Sequence, residues 1–500
     1  MKAFKKIKSC IWDGQITIFI LMVFMMIVAL LMSQYKSALY YACREDARQA
    51  AYLSADSFLS TYQKVLRDRY EILAVDGGYG QELFLQDVIE NQLLQVFERN
   101  MQSSMTRNQV ENLALAQEPV FTFLIDGDWE LFLREIGLNR QNNLIEESMD
   151  YIVEQWQRQN DAASEVFSQK RQEAEYAKEE FIKNTEEELE QSNQNIQDPR
   201  DLLMNIWNQG ILKAACPADF SVSEKTTTMS DVSYPEAAEQ IGIRIDFKSE
   251  SSIQNLLSNW KNVLKPETMV SALENEWAVQ SYIKDKFQNA VEQSKNQESE
   301  QRVLEYEMEY IIGGHDTDSE NLKTVLWKLL AIRCVFNLAY LVSSVEKGNQ
   351  TAITAAMLST VLLIPYFSEV IAFGLKIVWA FAESLADCRT LLNGGKIPMT
   401  KNDSSWYLTW DAMLGLHAGI LDGNLSQEGL DYTSYLQILL SFINRDTKYR
   451  RMTHLMEKNI RLVPEYSGFK MKNCIYGIQA VYSYELKSFG QYKVQTAVSY

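Results

Sequence analysis

The chain has 500 residues, 46% of them apolar, with only 8 prolines and 21 glycines. That is enough for about two to four domains and too few breakers for a turn-rich β fold, so long helices are expected. A net charge of −18 excludes nucleic acid and an anionic membrane face as main partners, since both repel an acidic surface.

Residues 1–13, MKAFKKIKSCIWD, set Lys2, Lys5, Lys6 and Lys8 against Asp13. They precede a charge-free run, residues 14–35. A helix of about 22 residues rising 1.5 Å per residue crosses a hydrocarbon core of about 30 Å. Basic residues beside a first span stay in the cytoplasm, so the N-terminus is expected inside and the remainder outside. A cleaved signal peptide fits less well, because the run is long and no small-residue cleavage site follows it. Gly14 after a lysine-rich leader is similar to the processing signal of type IV pilins, but Phe19 stands where that signal carries Glu. An uncleaved anchor is therefore the expectation.

The anchor meets no breaker at its outer end. Ala51, Ala55, Phe58, Tyr62, Leu66, Tyr70 and Leu73 recur at steps of three and four, which predicts one stem helix as far as Val75. Asp76-Gly77-Gly78-Tyr79-Gly80 then supplies a turn with positive φ. No helix opening with Lys-Ser/Thr follows, so the glycines do not make a phosphate loop.

Residues 81–118 read as a helix and 119–125 as a short apolar strand. From about 141 to 196 a long polar helix is expected, with a thin heptad seam at Phe167, Ala174 and Phe181 and an acidic solvated face at 186–190. The polar stretch 198–235 reads as loop or edge hairpin, 242–247 alternates as a strand, and helices resume from Ser251.

The block 305–343 turns at Gly313-Gly314 and restarts with Asp318 or Ser319 as cap. His315, Asp316, Asp318 and Glu320 suggest metal ligands, but the glycine and distant Glu of a calcium loop are missing, and capping accounts for the acids. The apolar stretch 351–381 invites a second membrane segment; Pro365, Glu369 and Lys376 favour two core helices. Glu383 and Asp387 are a carboxylate pair at i, i+4, with Arg389 beside them as an alternative salt-bridge partner. Helices are expected at 406–420 and 431–462, the latter with Arg445, Lys448, Arg450, Arg451 and Lys458 as a solvated basic face that pairs with the acidic segments. Alternation over 475–484 and 492–500 predicts a terminal β-hairpin, joined in one small sheet with the strands near 120 and 242. Cysteines at 10, 43, 216, 334, 388 and 474 form no Cys-x-x-Cys pair and read as buried small hydrophobes.

The expected fold is thus α+β, mainly α. It comprises a cytoplasmic leader (1–13), a transmembrane helix (14–35), a stem helix (36–80), and a helical region with a short strand and the long polar helix (81–200). A mainly helical extracytoplasmic body (201–470) and the C-terminal hairpin (471–500) follow.

GQITIFI at 14–20, YQKVLRDRYEILAVD at 62–76, EYIIGGHDTDSENLK at 309–323 and AFAESLADCRTLLNGGKIP at 380–398 carry a resemblance, together with the aromatic hairpin. In these blocks the chain resembles an uncharacterised family of single-pass surface proteins of anaerobic Gram-positive bacteria, similar in layout to TadE/TadG-like pilus-assembly proteins. The resemblance implies an anchored extracytoplasmic subunit of a tight-adherence pilus or its secretion machinery. Its partners would be the membrane, through residues 14–35, and other pilus or secretion components. It implies no catalytic, cofactor-binding or metal residues. An anchored envelope enzyme or surface-binding protein is the alternative. Against an enzyme, the sequence has no Gly-x-Ser-x-Gly and no His-Glu-x-x-His, and His315, His417 and His454 are far apart.

Overall fold

The computed structural model describes residues 2–104, 106–138, 198–235, 278–295, 301–344, 347–352, 355, 368–415, 417–421, 428–487 and 489–500. The expected polar helix at 141–196, the strand at 242–247, the helix from Ser251 and the apolar residues 356–367 lie outside them. The described chain is mainly helical with one small antiparallel sheet, and it divides into two compact units. One unit joins Met1–Phe132 to Glu465–Tyr500; the other is Leu133–Pro464.

In the first unit α1 (Lys2–Leu59) carries the apolar run and then continues without interruption. It stops sixteen residues short of Val75, because the side chains of Ser60 and Thr61 turn back onto the carbonyls of Asp56 and Phe58. After this break α2 (Lys64–Tyr70) starts under a cap from the Gln63 side chain and ends at Glu71, whose φ is +56°. The expectation of one stem helix to Val75 is thereby corrected. Its steps of four persisted across the break because Phe58, Leu66 and Tyr70 are all buried, on two successive helices.

The next correction concerns residues 81–118. Helix α3 spans Gln86–Ser103 only, burying Ile89, Leu93, Phe97 and Met101 at steps of four. The strand expected at 119–125 begins at Val110: β1 is Val75–Asp76 and β2 is Val110–Phe123. The predicted hairpin is present as β3 (Cys474–Leu486) and β4 (Gly490–Ser499). Central β3 pairs antiparallel with β1, β2 and β4; Val75 faces Ile475, Phe121 faces Ile478 and Tyr482 faces Val494. Register shifts interrupt β2, and Asn112 with φ +50° lies at one of them, which hid its first half from a simple alternation test.

Helices α1 and α3 cover one face of this sheet. Cys43, Ala47, Ala50 and Ala51 pack with Phe97, Met101, Tyr482 and Tyr484, and Ala55 and Phe58 with Ile89, Leu93 and Ile478. Small residues on α1 let the helix approach closely, and the Phe97 ring stacks on Tyr482 at 4.3 Å. Ser54 donates to the Leu93 carbonyl at 2.6 Å and meets the Tyr482 hydroxyl at 2.9 Å. In the turn after β1, Asp76 accepts from the amides of Gly78 (2.9 Å) and Gly80 (2.7 Å). A Cβ at Gly78 would come within 2.4 Å of the Gln81 carbonyl oxygen, so this turn needs glycine there.

The second unit is helical. Among its described helices are α4 (Pro199–Trp207), α5 (Ile211–Ala215), α6 (Ala290–Lys295), α7 (Glu307–Gly313) and α8 (Asp318–Ser343). They continue with α9 (Ser368–Leu392), α10 (Tyr432–Ser441) and α11 (Arg445–Arg461). The helix expected at 406–420 shortens to Trp410–Leu414, and the one expected at 431–462 splits at Phe442 into α10 and α11. Long, apolar α8 is mostly buried, as is the described part of α9, so both are core helices.

Candidate functional site

The largest exposed apolar surface among the described residues is the first half of α1. Ile16, Ile18, Phe19, Ile20, Leu21 and Phe24 are each more than half exposed, and these positions lie all around the helix. By length and composition this segment is able to cross a membrane. Burial begins abruptly at Cys43 and Ala47, where the same helix enters the core of the first unit. From Ile16 to Leu59 the helix has 44 residues, about 66 Å at 1.5 Å each.

The residues considered for chemistry in the second unit have other occupations. Asp318 is buried and accepts from Ser223 Oγ (2.7 Å) and from the amides of Glu305 (2.9 Å) and Tyr306 (3.1 Å). The cap of α8 is Thr317, whose Oγ1 accepts from the Glu320 amide, rather than Asp318 or Ser319. Asp316 accepts from the Met229 amide at 3.2 Å, and Glu320 lies 3.7 Å from His315 Nδ1 with its side chain largely exposed. Asp316 and Asp318 therefore bind other segments of the chain, while His315 and Glu320 face each other. No group of three or more His, Cys, Asp or Glu placed for a metal is found among the described residues.

Glu383 and Asp387 do come together, but in a closed network. Lys401 pairs with Glu383 and lies 2.5 Å from Asp387, while Arg333 Nε donates to Asp387 at 2.9 Å. Glu383 also accepts from the amides of Tyr407 (2.8 Å) and Leu408 (2.7 Å). Arg333 reaches the carbonyls of Pro398 (3.0 Å) and Met399 (2.9 Å) and the Tyr435 hydroxyl (2.9 Å), and Asn337 bridges Ser384 to Asp387. Burial pushes the Asp387 carboxyl up, but Lys401 and Arg333 outweigh it and hold it below the usual carboxylate range. Every one of these charged side chains is at least 94% buried, so the network is a fastening inside the core. Arg389, expected as a partner of Asp387, donates instead to the Ala214 carbonyl at the end of α5 (2.9 Å).

The basic face of α11 is another correction. Lys448 and Arg451 are buried, and Arg451 donates to the carbonyls of Ile311 (3.0 Å) and Ile312 (2.9 Å) near the end of α7. Gly314, with φ +77°, leaves room for this guanidinium; a Cβ there would lie 2.6 Å from it. Arg450 pairs with Asp446 at 2.7 Å and Lys458 with Asp231 at 2.5 Å.

The histidines have separate partners. His454 is buried, its Nε2 donating to the Tyr234 carbonyl (2.5 Å) and its Nδ1 accepting from the Tyr310 hydroxyl (2.9 Å). Burial lowers its pKa to about 4, so this imidazole is neutral. His315 Nε2 meets Thr324 Oγ1 at 3.0 Å, and His417 is exposed. Cys43, Cys216, Cys334, Cys388 and Cys474 are buried free thiols; burial pushes Cys216 up to about 12.

Sequence reasoning missed Glu309, whose nearest signal was only its place in an acidic helix. It accepts from the Ala290 amide (3.0 Å) and the Tyr432 hydroxyl (2.8 Å), and its Oε2 is buried without a hydrogen bond. Burial raises its pKa to about 7.

The chain combines an exposed apolar helix that enters a helix-on-sheet unit with a charge-fastened helical unit, and these features define a class by architecture. The chain belongs to a family of unknown function, DUF5702, whose model matches residues 189–486, more than half of its length. That match spans most of the helical unit and all of β3, and leaves α1 outside it. No curated protein and no solved structure matches the chain significantly.

Proposed function

We propose that the protein is a single-pass, membrane-anchored assembly component of the cell surface, with its N-terminus cytoplasmic and its body outside, working in a tight-adherence type of pilus or its secretion machinery. The observation that carries this reading is the continuity of α1. Its apolar half is exposed all round, and its second half is part of the core that holds the sheet. A tether needs no such continuity. A subunit that transmits position or force between a membrane and an external assembly does, because a continuous helix has no hinge at the boundary. The basic leader, Lys2 to Lys8, supports the orientation. The resemblance to surface proteins whose layout is similar to that of TadE/TadG-like proteins supports the pilus context.

The test is mild extraction from native membranes followed by affinity capture and mass spectrometry. Co-recovery of pilus or secretion subunits in fixed ratio is expected, whereas recovery of the protein alone overturns the assembly reading. Protease added to intact cells should remove the body and spare the leader; the reverse pattern overturns the orientation.

A further inference from the structure

The end of α8, the middle of α9 and the loop after Pro398 build an aromatic box that the proposed function does not use. Tyr340 comes from α8, Trp379 from α9 and Trp406 from the loop. The two indole planes stand at 88° with centroids 5.5 Å apart, and Tyr340 lies 5.1 Å from Trp406. Both indole N–H groups donate to one acceptor, the Leu408 carbonyl, at 2.8 and 2.7 Å, which fixes the rings. The ammonium of Lys347 sits inside, 5.5 Å from the Tyr340 centroid, 5.9 Å from Trp379 and 5.7 Å from Trp406. Beside it, Asp403 accepts from Lys347 at 3.3 Å and also accepts from the Tyr340 hydroxyl. The Asp403 side chain is 77% exposed, so the box has a mouth at solvent.

We propose that this box binds a small quaternary ammonium ligand, with Lys347 as a built-in occupant that the ligand displaces. Three aromatic faces and one carboxylate around a cation are the chemistry that recognises a trimethylammonium group. A primary ammonium is a poorer guest in such a box. It is compact and strongly hydrated, and the ring faces replace few of the hydrogen bonds it loses. The one to Asp403 is long. A quaternary ammonium has no N–H to satisfy and sheds water more cheaply. Asp403 at the mouth repels a ligand that carries its own carboxylate, so choline is preferred over glycine betaine.

The experiment titrates the full-length chain, in maltoside micelles, with tetramethylammonium chloride and separately with choline chloride, using sodium chloride at equal ionic strength as control and tryptophan fluorescence as readout. Both cations should give a saturable change absent from the control, with glycine betaine weaker by about tenfold, a difference of about 1.4 kcal/mol. Lys347→Ala removes the internal competitor and should bind about tenfold tighter, and Asp403→Asn, at an exposed position, should bind about tenfold weaker. Circular dichroism unchanged in both variants separates these effects from folding. A response in the parent chain no different from sodium chloride overturns the proposal, even where Lys347→Ala binds. Binding in Lys347→Ala no tighter than in the parent overturns the role of the lysine.

Discussion

The two units reach a buried core by opposite means. In the helix-on-sheet unit the packing surface of α1 is made of Cys43, Ala47, Ala50, Ala51 and Ala55, the bonds of Ser54 beneath it are neutral, and the buried acid Asp76 is held by backbone amides in its turn. In the helical unit Glu307, Glu309, Asp318, Arg333, Glu383, Asp387, Lys401, Lys448 and Arg451 are all buried. The first unit draws its stability from apolar area and close approach, so added charge should ruin it. The second offsets the desolvation cost of its charges through ion pairs, as for Arg333, Asp387, Lys401 and Glu383, and through hydrogen bonds to backbone groups, as for Asp318 and Arg451, so removal of a single partner should ruin it.

The largest effects test this contrast directly. Phe58→Asp or Leu66→Asp puts a charge at a site that is 1% or 0% exposed, and should cost more than about 4 kcal/mol. Hydrogen exchange of the Cys474–Leu486 amides measures it; protection equal to the parent would mean that α1 and α2 are dispensable for the sheet. Met25→Asp, on the same α1 but at a 62% exposed position, should leave that protection unchanged while reducing recovery in the membrane fraction.

In the helical unit, Asp387→Ala strands Arg333 and Lys401 without a carboxylate they share, and should cost about 3–5 kcal/mol in chemical denaturation. A loss below about 1 kcal/mol would show that the charges are not fastened as the geometry implies.

Intermediate effects come from pH. Glu309 has its pKa raised from 4.5 to about 7 by burial, so its protonated form is favoured by folding. The stability it contributes is complete below about pH 4.5 and is lost as pH rises through about 7, a change of roughly 3 kcal/mol. His454 runs the other way, lowered from 6.5 to about 4: its contribution is complete above about pH 6.5 and is lost as pH falls through about 4. Glu309→Gln should therefore remove the fall in stability between about pH 4.5 and 7 and leave the rise between about pH 4 and 6.5 that His454 supplies. A stability profile unchanged in that variant would contradict the burial of the Glu309 carboxyl.

The smallest expected effect is Asp446→Ala, which removes a half-exposed i, i+4 pair with Arg450 and should cost only about 0.3–0.5 kcal/mol. A larger loss would mean that the surface of the helical unit, and not only its interior, depends on paired charge.

The sequence by itself determined whatever is written in local pattern. The uncharged run of α1, the glycine turn after Asp76 and the alternation of β3 and β4 each specify their structure within a few neighbouring residues, through helix periodicity, allowed φ and strand pleat. The end of α1 at Leu59 was less legible, since two consecutive helices burying side chains against one core preserve a single periodicity across the break. Early β2 was obscured by its register shifts. Tertiary structure alone decided the fate of the charges. Glu383, Asp387, Lys401 and Arg333 are separated by up to 68 positions along the chain, and although apolar neighbours surround Arg333, Glu383 and Asp387, nothing near any of them names its partner. An acid or base on a helix reads as solvent-facing until a distant partner neutralises it, and that partner is chosen by packing between helices. The same holds for Lys347, whose aromatic box exists only after α8, α9 and the loop after Pro398 have met.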